Sequence, residues 1–170
     1  MRIFNLHGFG GDGNNTNYMA LRKLFPEAEI VSRTYDYMHT YCEDIIDDCC
    51  FEGGFDLVVG NSFGGFLAYI IGAELGIKTI LTNPCIPAYE YIPRIIKGYG
   101  NGAELKELWA NYAGKNHNCY VLLGTDDKVL DYTRTVAVLG ATANIEYEEG
   151  AGHSISGEHY EVWLKRSIET

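Results

Sequence analysis

The stretch Gly60-Asn61-Ser62-Phe63-Gly64, backed by Gly65, constrains this chain more than any other. Phe55-Asp56-Leu57-Val58-Val59 precedes it and reads as a short buried strand; Phe66-Leu67-Ala68-Tyr69-Ile70-Ile71 follows and reads as the start of a buried helix. Gly-x-Ser-x-Gly between strand and helix marks a sharp, strained turn that holds the serine hydroxyl exposed. Gly60 and Gly64 omit the side chains that would otherwise keep strand and helix apart. The competing reading is a Gly-rich turn whose serine only caps a helix. Partners for Ser62 elsewhere in the chain decide between the two.

The surrounding sequence alternates strand and helix. Residues 2–6 predict a strand, 7–13 a Gly-rich loop, and 14–25 a helix that stops before Pro26. A second strand is expected over 28–33 and a helix over 39–51, where Tyr41, Ile45, Ile46 and Cys49 share a face. The third strand, 56–60, leads into the elbow helix, which ends at Gly76 after about Leu75. Further strands are expected at 78–82, 119–124 and 143–147, with helices at 131–139 and 157–167. Short apolar strands separated by helices imply a parallel sheet covered on both faces, three layers in all. The expected sheet has six mainly parallel strands in the order 2-1-3-4-5-6 within one domain, 1–170. Residues 84–118, broken by Pro84, Pro87 and Pro93, do not fit a single crossover and read as a small helical lid over the strand ends. Their four basic residues, Arg94, Lys97, Lys106 and Lys115, outnumber three acidic ones, although the whole chain carries −10.

A serine hydroxyl needs a base within reach, and the base needs a third group to hold its tautomer. His153, in Gly150-Ala151-Gly152-His153 after the last strand, is the candidate base, ahead of His159 inside the final helix. Asp127, just past the fifth strand, is the candidate acid, with adjacent Asp126 as its alternative; Asp131 is better placed to start the next helix. The order Ser, acid, His is that of the α/β-hydrolase fold. An oxyanion hole would draw on the backbone N–H of Phe63 and, from His7-Gly8-Phe9-Gly10-Gly11, that of Phe9, with Gly10 second. His7 is expected to hold this loop rather than react. The loop lacks the spacing of a phosphate cradle.

Composition removes other classes. The 46% hydrophobic and 21% charged content is that of a globular chain. The charge of −10 argues against nucleic acid and anionic membrane as partners. No apolar run spans a bilayer, and a strand pattern beginning at Arg2 leaves no room for a leader. Cys42, Cys49, Cys50, Cys85 and Cys119 lack metal-ligand spacing and are expected as reduced thiols in a cytoplasmic protein, Cys85 as an inert one rather than a nucleophile. No metal or cofactor is expected, and homo-oligomerisation is left open.

Four stretches carry a resemblance: Leu6-His7-Gly8-Phe9; Gly60 to Gly65; Asn83-Pro84-Cys85-Ile86-Pro87; and Asp127-Lys128-Val129-Leu130-Asp131-Tyr132 with Gly152-His153 beyond it. Together they resemble the YqiA-type family of small α/β-hydrolase esterases over nearly the whole chain. That resemblance implies a cofactor-free esterase, acting on acyl esters or thioesters, with Ser62 as nucleophile, Asp127 as acid and His153 as base. Asn61 and Phe63 stand where the family pattern suggests Ser and Leu, and Lys128 stands where it suggests an acid. The expected substrate is a small-molecule ester with a short acyl chain, because a short Tyr-rich lid leaves a small pocket. Polyanionic thioesters would be repelled unless Arg94 and Lys97 line the entrance. The alternatives are a hydrolase-fold sensor with little turnover, separable by a fluorophosphonate probe, and an amidase or peptidase on the same three residues, separable by matched substrates.

Overall fold

The structure, a computed structural model, describes residues 1–170. Six strands and seven helices alternate as β1 (Arg2–Leu6), α1 (Thr16–Leu24), β2 (Glu29–Ser32), α2 (Cys42–Glu52), β3 (Leu57–Asn61), α3 (Ser62–Leu75), β4 (Lys78–Thr82), α4 (Ala88–Ile95), α5 (Gly102–Tyr112), β5 (Cys119–Gly124), α6 (Thr133–Leu139), β6 (Ala143–Glu148) and α7 (Glu158–Glu169). The sheet order is 2-1-3-4-5-6, as expected, and every neighbouring pair is parallel.

Right-handed crossovers explain the layering. The chain steps one way from β1 to β2 and the other way from then on, so α1 lies on one face and α2 through α6 on the other. Helix α7, after the last strand, returns to the α1 face. The pleat divides the core accordingly. Phe4, Leu6, Val58, Leu81, Val121 and Leu123 join the core on the α2–α6 face. Ile3, Leu57, Val59, Ile80 and Leu122 join Leu21, Tyr160, Trp163 and Leu164 on the other. The central strands are buried on both faces, hence the apolar runs Leu57-Val58-Val59 and Val121-Leu122-Leu123, while buried Asn5, Thr79 and Thr82 interrupt β1 and β4.

Three helix starts or ends have local causes. The Asn15 side chain accepts the Tyr18 N–H at 2.9 Å and begins α1. Gly76, at φ 65°, closes α3 in the left-handed conformation. Helix α2 starts at Cys42 rather than 39, because Asp36 holds residues 36–40 in a turn: its carbonyl accepts from His39 and Thr40, and its carboxylate from Met38. Residues 84–118 contain two short helices, most of whose apolar side chains pack into the core, with Ile95 exposed. Ile86, Ala88, Ile92, Leu105, Leu108 and Trp109 are buried, and Trp109 packs on Tyr69 of α3 with ring centroids 5.6 Å apart.

The tightest approach is between α3 and the end of β1. A Cβ on Gly64 would lie 2.6 Å from the Leu6 carbonyl oxygen and closer still to that of His7. Both obstacles are backbone and cannot swing aside. Gly64→Ala is therefore expected to cost about 1–3 kcal/mol, lowering Tm by roughly 3–10 °C. Thermal unfolding of the two proteins measures this, and an unchanged Tm would contradict the packing described.

Candidate active site

Ser62 is the first residue of α3 and has φ 52°, one of two non-glycine residues in the chain with positive φ. Such a conformation costs on the order of 1–3 kcal/mol and turns the side chain out at the strand end. The close contacts of Gly60 and Gly64 hold it there: a Cβ on Gly60 would stand 2.6 Å from the Gly64 carbonyl carbon and 2.8 Å from Ala68 Cβ. Cys85 N–H donates to the Ser62 carbonyl at 2.8 Å and fixes the turn from the β4 side. Phe63 is the second residue of α3, so its N–H is among the first-turn donors with no intrahelical acceptor.

The loop after β1 lies across this turn. A Cβ on Gly8 would sit 3.1 Å from Ser62 Cβ, and the Phe9 ring packs edge-on against Phe63 at 5.4 Å. His7 is buried and anchors the loop, as expected. Its Nε2 accepts the Tyr35 N–H at 2.9 Å, which leaves Nδ1 as the donor to the Gly8 carbonyl at 2.7 Å. The His7 carbonyl accepts from the Tyr37 hydroxyl at 2.9 Å.

Ser62, His153 and Asp127 come together from three strand ends. His153 Nε2 is 3.0 Å from Ser62 Oγ, and His153 Nδ1 is 2.6 Å from Asp127 Oδ2. The Asp127 side chain is 1% exposed. Its Oδ1 accepts from Val129 N–H at 2.6 Å and Leu130 N–H at 3.1 Å, and its Oδ2 also accepts from the Tyr132 hydroxyl. Burial pushes this carboxyl up, but the hydrogen bonds from Tyr132, His153 and Val129 outweigh it and hold it below the usual carboxylate range. An ionised carboxylate only accepts, so Nδ1 carries the imidazole proton and Nε2 presents its lone pair to the Ser62 hydroxyl. Asp126, the alternative acid, is exposed and turned to the Lys128 ammonium. His159 is exposed beside Glu148, and His39 beside Asp36. Burial pushes the Cys85 thiol far up, leaving it unreactive. Four of the five cysteines are buried, Cys50 is half-buried, and all are free.

Two supports were not read from the sequence. Asn83, at φ 44° and 1% exposed, donates to the carbonyls of Gly152 at 2.9 Å and His153 at 2.8 Å, and accepts the Gly124 N–H at 2.7 Å. One amide thus ties the end of β4 to both the acid loop and the histidine loop. Asn61, before the serine, accepts from Asn15 Nδ2 at 3.0 Å, and Asn15 in turn accepts from buried Asn5 at 3.0 Å. An asparagine ahead of a proline, or ahead of the serine, is the only trace these leave in the sequence.

A cleft of about 410 Å³ opens on Ser62 and His153, walled by the loop after β1 and the start of α1. A larger cavity of about 840 Å³ lies beyond the acid loop, near Lys128, Tyr132 and Tyr147, and reaches neither Ser62 nor His153. The smaller one is therefore the cleft that gives access to the serine. Arg94 and Lys97 are exposed and do not line it. No helix is long and apolar enough to cross a membrane.

The sheet order and the elbow between β3 and α3 define an α/β-hydrolase fold. Est1E from Butyrivibrio proteoclasticus has a similar structure, with TM-score 0.73 at 16% identity, covering 99% of this chain and 85% of that one. So does the esterase domain of a Rhodothermus marinus protein, with TM-score 0.70 at 15% identity, covering 98% and 87%. More particularly, the chain belongs to UPF0227, described as an uncharacterised protein family, whose family model matches residues 2–165. A UPF0227 protein of Yersinia enterocolitica is 27% identical over 162 residues, 89% of each chain. This membership accords with the resemblance drawn from the motifs.

A carboxyl held low adds stability that is complete above the ordinary carboxylate value of about 3.9 and is lost as pH falls through its depressed value. The stability gap between the wild type and Asp127→Asn is thus expected to persist down to about pH 5 and to close only below about pH 4. Urea unfolding at stepped pH measures it; a gap already closed at pH 6 would contradict the assignment.

Proposed function

We propose that this chain is a serine esterase that hydrolyses short acyl esters and thioesters through an acyl-enzyme. The observation that carries the reading is the hydrogen-bonded line Ser62 Oγ, His153, Asp127, at 3.0 and 2.6 Å. Similarity to a Rhodothermus marinus esterase domain supports it.

The steps follow from the tautomer. Ser62 Oγ attacks the carbonyl carbon while His153 Nε2 takes its proton. The Phe63 and Phe9 N–H groups stabilise the oxyanion, a contribution of about 2.7–4 kcal/mol per donor. The intermediate collapses, and His153 returns the proton to the leaving alcohol or thiol. Water then attacks the acyl-enzyme with His153 again as base, and the acid departs. Asp127 keeps Nδ1 protonated and stabilises the imidazolium without taking its proton. No cofactor enters these steps. The chain acts as one domain, and residues 84–118, the expected lid, supply none of the side chains that line the cleft at Ser62. Tyr99 of that segment packs edge-on against Phe9 of the loop after β1, with ring centroids 5.8 Å apart.

Ser62→Ala is expected to lower kcat/KM on a short aryl ester such as p-nitrophenyl butyrate by about 10⁴-fold or more. Unchanged turnover would overturn the proposal. A series of acyl lengths on one leaving group checks the pocket: kcat/KM should fall from butyryl to palmitoyl, and a rise would contradict a short-chain site.

A further inference from the structure

The walls of the cleft at Ser62 are mostly polar. Phe9 is its one apolar side chain. Asp12, Asn14, Asn15, Thr16, Asn61 and Ser154 supply the remaining side-chain groups beyond the reacting residues. Asn15 and Asn61 bind each other, and Asp12 Oδ1 accepts the Asn14 N–H at 2.7 Å. That turn holds the Asp12 carboxylate through the Asn14 backbone, leaving Asp12 Oδ2, the Asn14 side-chain amide and the Thr16 and Ser154 hydroxyls among the lining groups to meet whatever enters.

An alkyl group gains little against such a surface, because apolar transfer free energy needs apolar contact. It would also strip water from polar groups without replacing their hydrogen bonds. A group bearing hydroxyls answers both donors and acceptors. An anionic group is disfavoured by the Asp12 carboxylate and by the net charge of −10. The direction of binding follows from the proton path. The departing oxygen must lie within reach of His153 Nε2, and His153 and Ser154 form one wall of this cleft.

We propose that the alcohol half of the substrate is a small uncharged polyol, recognised through Asp12 and Asn14. The inference rests on the esterase reading and narrows it to oxygen esters whose alcohol carries further hydroxyls. Each hydroxyl bound by the ionised carboxylate or the amide raises specificity for the polyol over its deoxygenated analogue.

The test compares kcat/KM for 1-butyrylglycerol and n-propyl butyrate, which share an acyl group and a three-carbon alcohol and differ by two hydroxyls. Acid release is followed at constant pH, with p-nitrophenyl butyrate in parallel. The glyceryl ester is expected to be preferred by about tenfold or more. Asp12→Ala and Asn14→Ala should each lower the glyceryl-to-propyl ratio several-fold, and Asp12→Asn, which keeps an acceptor, should lower it less. A wild-type ratio of one or below, or a ratio indifferent to both alanine substitutions, would overturn polyol recognition. If the aryl ester is still turned over, only this inference fails. If none of the three esters is hydrolysed, the esterase reading fails and takes this inference with it.

Discussion

Gly64 has no room for a side chain, because helix α3 begins against the backbone of β1: a Cβ there would lie 2.6 Å from the Leu6 carbonyl oxygen. Gly60 meets the same helix from the strand side, where a Cβ would stand 2.8 Å from Ala68 Cβ. Strand β3, the end of β1 and the first turn of α3 are thus pressed into one unit. At this close-packed turn between β3 and α3, Ser62 takes φ 52°. The strain is local, and its consequence is positional: the hydroxyl stands at the strand end, between the loop after β1 and the loop that carries His153.

The remaining supports hold moving parts to that unit. The loops after β5 and β6 carry Asp127 and His153, and both are tied to Asn83 at the end of β4. Asp127 has its four acceptor positions filled by two backbone N–H groups, a tyrosine hydroxyl and an imidazole, which is why a nearly buried carboxylate remains ionised. On the other side, Asn5, Asn15 and Asn61 form a chain of amides beside the loop after β1. These buried polar groups gather at the carboxyl ends of the strands, where a parallel sheet places its ligand sites.

Much of this was legible in the sequence, for physical reasons. Strands buried on both faces are mostly apolar, so Ile3-Phe4, Leu57-Val58-Val59, Ile80-Leu81 and Val121-Leu122-Leu123 mark β1, β3, β4 and β5. The glycine pair declared the elbow, and the loops around His153 and Asp127 could be located because each follows a strand. What depended on side chains meeting across the fold was not legible. Asn83 looks like a strand terminator until its amide is seen between two loops. Tyr132 and Asn61 acquire roles only through Asp127 and Asn15. Helix α2 starts later than its periodicity suggests, because the Asp36 carbonyl takes the N–H groups of His39 and Thr40 into a turn that the Asp36 carboxylate closes through Met38. Helix α6 begins two residues later than expected for a similar reason: the Asp131 carboxylate accepts the Thr133 N–H at 2.9 Å and sits before the helix rather than in it. The polarity of the cleft is spread over residues 7–16, 61–62 and 153–154, which no single stretch reveals.

The central claim is that Ser62 carries the acyl group between two half-reactions. Rapid acid quench of the protein during turnover of p-nitrophenyl butyrate, followed by peptide mass analysis, tests it most directly. The account predicts a butyryl adduct on the peptide containing Ser62 and on no other, absent in Ser62→Ala. Turnover with the adduct on a different residue, or an adduct that survives the substitution, would contradict it.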